Sequence, residues 1–259
     1  MRVKPGAAVA FAVLVGYAVY LIIVLAFGGV DYNEIADSTS NLIRAVVIPI
    51  GLGSILLAVT AKRLGWWDAA MRERAPVGPR WLLVVPALML LIAVLNLVDK
   101  GFGGSSLEFV LVTAIAVSFV GFSEELLTRG LLLVGFRGSM GEVGVWFFTS
   151  LCFGLLHGIN IIVGQAGGAT LSQMAFAFVF GSVLYLTRRV TGTLIICIAL
   201  HAIWDFSVLI VSSGATTSTE VPIGLGQILV LPLVLIAAYG LVRVLRREDS
   251  APAVAEAGG

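Results

Sequence analysis

Charge is scarce in this chain. Asp, Glu, Lys and Arg make up 12% of its 259 residues, about half the share of a soluble domain. That excludes an ordinary water-soluble globule. The formal net charge of +1 says nothing about nucleic acid, because the basic residues lie in short clusters between apolar segments, and no nucleic-acid partner is expected. Cysteine is scarce too. Cys152 and Cys197 both lie inside apolar stretches, which excludes a disulfide framework and suits small packing residues. There is no serine in a G-x-S-x-G setting, no H-E-x-x-H zinc helix and no G-x-x-x-x-G-K phosphate loop. The reactions tied to those motifs are therefore not indicated.

Long apolar runs are what the chain has instead. Hydrophobic residues make up 59%, and the mean hydropathy is +1.06. A bilayer crossing takes about 20 such residues. Eight segments qualify, at roughly 7–28, 42–61, 81–98, 106–136, 143–159, 171–188, 192–212 and 222–243. The expected fold is all-α: a polytopic transmembrane bundle of about eight helices forming one integral-membrane domain over 1–247. The fourth segment exceeds a simple span, so its C-terminal part is expected to project or tilt. The fifth is short. The polar, Ala/Gly/Pro-rich tail 248–259 reads as disordered.

Cationic residues collect in alternate connections. Arg2 and Lys4, the arginines and lysine of loop 62–80, Arg137, Arg188 with Arg189, and Arg243, Arg246 and Arg247 fall on one side. Asp31, Glu34, Asp37, Asp99 and Glu220 fall on the other. The positive-inside rule then places both termini in the cytoplasm. The first segment resembles a signal peptide in its flanks, but its apolar run is about twice the usual length and it is read as a retained helix.

A charge at the bilayer centre costs about 2.5–3.5 kcal/mol on insertion scales, so polar groups there are functional candidates. Three segments carry them. Glu124, Glu125 and Arg129 lie in the fourth, Phe153 and His157 in the fifth, and His201 and Asp205 in the seventh. Glu125 and Arg129 are four apart and share a helix face. Glu124 points about 100° away. One acid can thus be held by the arginine while the other faces a cavity. Phe153 shares a face with His157, and Asp205 can orient the His201 ring. Read blandly, these are a structural ion pair, an interhelical hydrogen-bonding imidazole and a local His–Asp pair. Cys197, one turn before His201, reads as packing. Read together, two imidazoles and several acids suit a site that activates water for hydrolysis, with a base, an acid and an oxyanion partner. A proton relay or ion pathway uses the same residue types.

The pattern Glu124-Glu125-x-x-x-Arg129, Phe153-x-x-x-His157 and His201-x-x-x-Asp205 resembles the signature of the CPBP family. That family comprises the type II CAAX prenyl endopeptidases and related bacteriocin-processing and immunity proteins. The resemblance covers residues 106–212 and implies an intramembrane, glutamate-dependent endopeptidase. By position, Glu124 would act on water with His157, Glu125 and Arg129 would support the site, and His201 with residue 205 would face the oxyanion. The family has been described as metallo and as metal-free. No metal ligands are assigned, and His157, His201 and Glu124 would be the zinc candidates. Prenyl-processing members resemble this pattern with Asn where this chain has Asp205. An ionised Asp cannot donate to an oxyanion, which points away from a prenylated protein and toward a membrane-associated protein or peptide in a bacterial plasma membrane. The alternative is a non-enzymatic immunity, chaperone or transport-coupled protein on the same scaffold.

Overall fold

The computed structural model describes residues 3–101, 105–213 and 225–249. Arg2, Glu220 and most of the tail expected to be disordered lie outside the described residues.

Every regular element among the described residues is a helix. Seven are long and apolar enough to cross a membrane: α1 Ala7–Gly28, α2 Thr39–Leu64, α4 Arg80–Asp99, α5 Leu107–Arg137, α6 Glu142–Val163, α7 Gly167–Thr191 and α9 Gly226–Arg247. Two others are shorter in apolar extent. α3 (Trp67–Met71) lies in the polar connection. α8 (Leu194–Ser213) has a described apolar run of Leu194–Ile210. The polytopic helical bundle expected from hydropathy is therefore present, with seven full-length candidate spans and α8 as the shorter eighth.

The apolar faces are distributed as a bilayer protein requires. Phe27, Ile55, Val98, Leu111 and Leu235 are exposed, where lipid tails rather than water would cover them. α1 is the most peripheral span, with 11% of its apolar window buried.

The C-terminal part of α5, expected to project or tilt, lies inside the bundle. Residues 126–136 are all buried, and they pack against α1, α3 and α6. The helix widens to a π-turn over Leu126–Leu132, the kind of local widening often found at functional sites. Thr128 Oγ1 donates to the Glu124 carbonyl at 2.6 Å, which pairs a backbone oxygen just before that turn. A 31-residue helix fits because its second half is sheathed by α1, α3 and α6, so it need not meet lipid.

The closest helix contacts are set by absent side chains. A Cβ on Gly121 would lie 2.9 Å from the Ile198 carbonyl oxygen, so only glycine lets α5 and α8 approach this closely. That crossing brings the glutamates of α5 beside the histidine of α8.

The second-to-third connection is not a free polar loop. Trp66 Nε1 donates to the Val3 carbonyl at 2.7 Å. Arg72 forms a bridge with Thr193. Glu73 binds Arg188 Nε at 2.9 Å and Arg137 Nη1 at 2.9 Å. The arginines that mark alternate connections in the sequence are in part buried ion-pair partners. Arg188 is fully buried and also donates to the Ala69 and Ala70 carbonyls.

Candidate functional site

Glu125 is fully buried, and so is Arg129 one turn later. Arg129 Nη1 reaches Glu125 Oε1 at 2.9 Å and Thr128 Oγ1 at 2.7 Å. The guanidinium lies 4.2 Å from the Phe153 ring centroid, a cation–π arrangement that holds a desolvated charge. A Cβ on Gly181 would fall 2.6 Å from Arg129 Nη2, so α7 offers glycine where the arginine needs room.

The same Glu125 oxygen takes His201 Nδ1 at 3.0 Å. Helical spacing pairs Glu125 with Arg129 and His201 with Asp205, but it cannot show this contact, which joins residues 76 apart. A carboxylate held by Arg129 accepts, so Nδ1 carries the hydrogen. His201 Nε2 is thereby turned to Asp205 Oδ2 at 3.4 Å and Glu124 Oε2 at 3.9 Å. Asp205 thus stands beside the second ring nitrogen, while the first is fixed by α5.

His157 sits where α6 tightens into a 3-10 segment, His157–Val163. Its Nδ1 is 2.9 Å from the Phe153 carbonyl oxygen. A carbonyl only accepts, so Nδ1 donates and Nε2 of the neutral ring is left with a lone pair. Phe153 packs edge-on against both rings, 5.1 Å from His157 and 5.7 Å from His201 between centroids. The phenylalanine is a spacer between the two imidazoles as well as a platform for the arginine.

Glu124, Phe153, His157, His201 and Asp205 all line one cavity of about 710 Å³, a volume typical of small-molecule and cofactor sites. Glu125 and Arg129 stand behind that wall. Most of the lining is apolar, from Leu21 and Leu25 on α1 to Val208 and Leu209 on α8. One buried oxygen each of Glu124 and Glu125, and Nε and Nη2 of Arg129, have no hydrogen-bond partner. Buried polar atoms left this way are uncommon and call for an explanation.

Spacing gave no sign of several polar lining residues. Tyr17 comes from α1. Tyr32, Asn160 and Gln173 form a chain near the connection 29–38: Asn160 Nδ2 donates to Gln173 Oε1 at 3.0 Å, and Gln173 Nε2 to the Tyr32 hydroxyl at 3.1 Å. Burial raises the Tyr32 pKa above the ordinary phenol value, with the Gln173 hydrogen bond acting the other way. The hydroxyl is therefore neutral at physiological pH. The available signal was a polar aromatic inside or beside an apolar run, which is too common to single out a site.

Among the described residues, no group of three or more His, Cys, Asp or Glu side chains is arranged to hold a metal ion. His157, His201 and Glu124 share the cavity without forming a ligand set. Cys197 is fully buried and donates to the Leu184 carbonyl at 3.4 Å.

Residues 106–207 match the model of the type II CAAX prenyl endopeptidase Rce1-like family. The matched segment contains all three motifs and most of the wall that carries them. No curated protein and no solved structure matches the chain.

Proposed function

We propose that this integral membrane protein is an intramembrane endopeptidase that hydrolyses a peptide bond with water activated by Glu124 and His157. The observation that carries the reading is Glu124 itself. It is the carboxylate that Arg129 does not hold, it faces a cavity with two imidazoles, and one of its oxygens is buried without a partner. The match to a protease family over 106–207 supports the same class.

In this mechanism Glu124 accepts a proton from water as the water oxygen bonds to the scissile carbonyl carbon. His157 orients that water through Nε2. The carbonyl π electrons move to oxygen, and His201, anchored through Nδ1–H on Glu125 and carrying a second proton on Nε2, donates from Nε2 to the resulting oxyanion. Glu124 then delivers its proton to the amide nitrogen as the C–N bond breaks. Glu125 and Arg129 are positioning residues. Phe153 separates the imidazoles and covers the guanidinium.

The substrate is a membrane-associated protein or peptide, since most of the cavity wall is apolar. Asp205 in place of an amide donor disfavours a prenylated protein. Both termini lie inside, as the loop arginines suggest, and Asp205 in the family pattern favours a bacterial plasma membrane.

The test compares new protein termini, by mass spectrometry, in native membranes carrying the intact protein or Glu124→Gln. Termini present only with the intact protein are expected. An identical set with both proteins would remove the hydrolase mechanism and leave the non-enzymatic immunity, chaperone or transport-coupled alternative.

A further inference from the structure

Two tyrosines on one face of α1 end differently. Tyr17 and Tyr20 stack with ring centroids 5.9 Å apart and planes 27° apart. The Tyr20 hydroxyl donates to the Pro49 carbonyl at 2.7 Å, which ties α1 to α2. The Tyr17 hydroxyl is buried, on a residue only 2% exposed, and has no hydrogen-bond partner. Ser123 and Glu124 both stand near it, and the Ser123 hydroxyl itself donates to the Val120 carbonyl at 3.2 Å.

Tyr17 lines the same cavity as Glu124. Both present a buried oxygen without a partner, and the two are complementary: a phenol O–H donates, whereas a carboxylate oxygen accepts. α2 is shaped to admit the phenol. A Cβ on Gly53 would lie 2.9 Å from the Tyr17 hydroxyl oxygen and 3.0 Å from the Tyr20 ring. A buried hydroxyl left unpaired is costly, and glycine opposite it keeps its place free rather than filling it with a side chain.

We infer that Tyr17 is a positioning residue of the site, its hydroxyl donating to a water molecule that Glu124 accepts from. The inference rests on the hydrolase reading of the cavity. It extends the working site to α1, outside the segment 106–207 that carries the family pattern. The phenol holds the water's lone pair, so the water's hydrogen points at Glu124 and its second lone pair at the incoming carbonyl carbon.

The test uses full-length protein reconstituted in liposomes with detergent-extracted total membrane protein of the host. The readout is the rate of appearance of each terminus that depends on Glu124. Tyr17→Phe removes one oxygen and keeps the ring, and Tyr20→Phe is the structural control. For Tyr17→Phe the expected rate is about tenfold lower or less. The deficit should be the same when the membrane extract is diluted tenfold, because the loss is in turnover rather than affinity. Its melting temperature in detergent should be unchanged, since the hydroxyl ties no helix to another. Tyr20→Phe should keep its rate and melt lower.

Tyr17→Phe at full rate while Glu124→Gln makes no termini would overturn the inference and leave the hydrolase reading standing. A Tyr17→Phe deficit that comes with a lower melting temperature and vanishes on cooling would make Tyr17 structural, which also overturns it. Unchanged termini in Glu124→Gln would remove the hydrolase reading, and this inference with it.

Discussion

At one end of the bundle two carboxylates face three arginines, whereas in the cavity three carboxylates face one. Glu73 and Glu142 meet Arg137, Arg188 and Arg189, and all four of their oxygens have partners. Glu73 Oε1 takes Arg188 and Oε2 takes Arg137 and Arg189. Glu142 Oε1 takes Arg137, Arg189 and the Tyr185 hydroxyl, and Oε2 takes Arg137 Nε. In the cavity, Glu124, Glu125 and Asp205 share Arg129 and two imidazoles, and one oxygen each of Glu124 and Glu125 is unpaired. Both clusters are desolvated, so burial alone does not distinguish them. Saturation of the carboxylate oxygens does. Acids with every oxygen paired fix where helices sit, and acids with an oxygen left over keep it available to water and substrate.

The sharpest way to break this comparison is to remove the hub of the saturated cluster. Glu73→Ala leaves buried Arg188 with backbone carbonyls in place of a carboxylate and Arg137 and Arg189 sharing Glu142, and should cost about 3–5 kcal/mol of stability. Thermal unfolding in detergent measures it. Cleavage by the surviving folded fraction should be normal at low temperature. An unchanged melting temperature would show the network to be ornamental.

Glu124→Gln should do the opposite. The amide keeps the shape and loses the proton acceptor, so cleavage should fall about 100-fold or more, about 2.7 kcal/mol of barrier. Its melting temperature should match the intact protein. A variant that unfolds as readily as Glu73→Ala would put Glu124 in the structural class.

Asp205→Asn should be milder, within about tenfold, because an amide still hydrogen-bonds and can also donate to an oxyanion. Turnover of a reconstituted substrate measures it. A loss as large as that of Glu124→Gln would assign Asp205 a proton-transfer role of its own.

The smallest expected effect is that of a chelator. Cleavage should persist in excess chelator, since the described residues offer no grouped ligand set. Loss of activity restored by zinc would keep the hydrolase and replace the water-activating step with a metal site of His157, His201 and Glu124.

Much of the cavity was legible in the chain because a membrane makes polar residues informative. Glu124, His157 and His201 stand out against apolar neighbours, and the four-residue spacings pair Glu125 with Arg129 and His201 with Asp205. Glu125 with His201 was not legible, because a contact between residues 76 apart depends on how α5 and α8 cross. The cluster of Glu73 and Glu142 was not legible for a related reason: nothing in the spacing of arginines at span ends reveals that these two acids will reach them.

Hydropathy by itself determined that the chain is a helical membrane protein, because backbone groups in lipid must pair within a helix. Local periodicity determined which acid the arginine could hold, because residues one turn apart share a face. The tertiary structure decided the rest. It buried the second half of α5 against α1, α3 and α6. It set His201 on Glu125 through a crossing that only Gly121 allows. It also brought Tyr17 from the far end of the chain to the same cavity. These outcomes depend on which helices touch, and that is fixed by packing between segments remote in sequence.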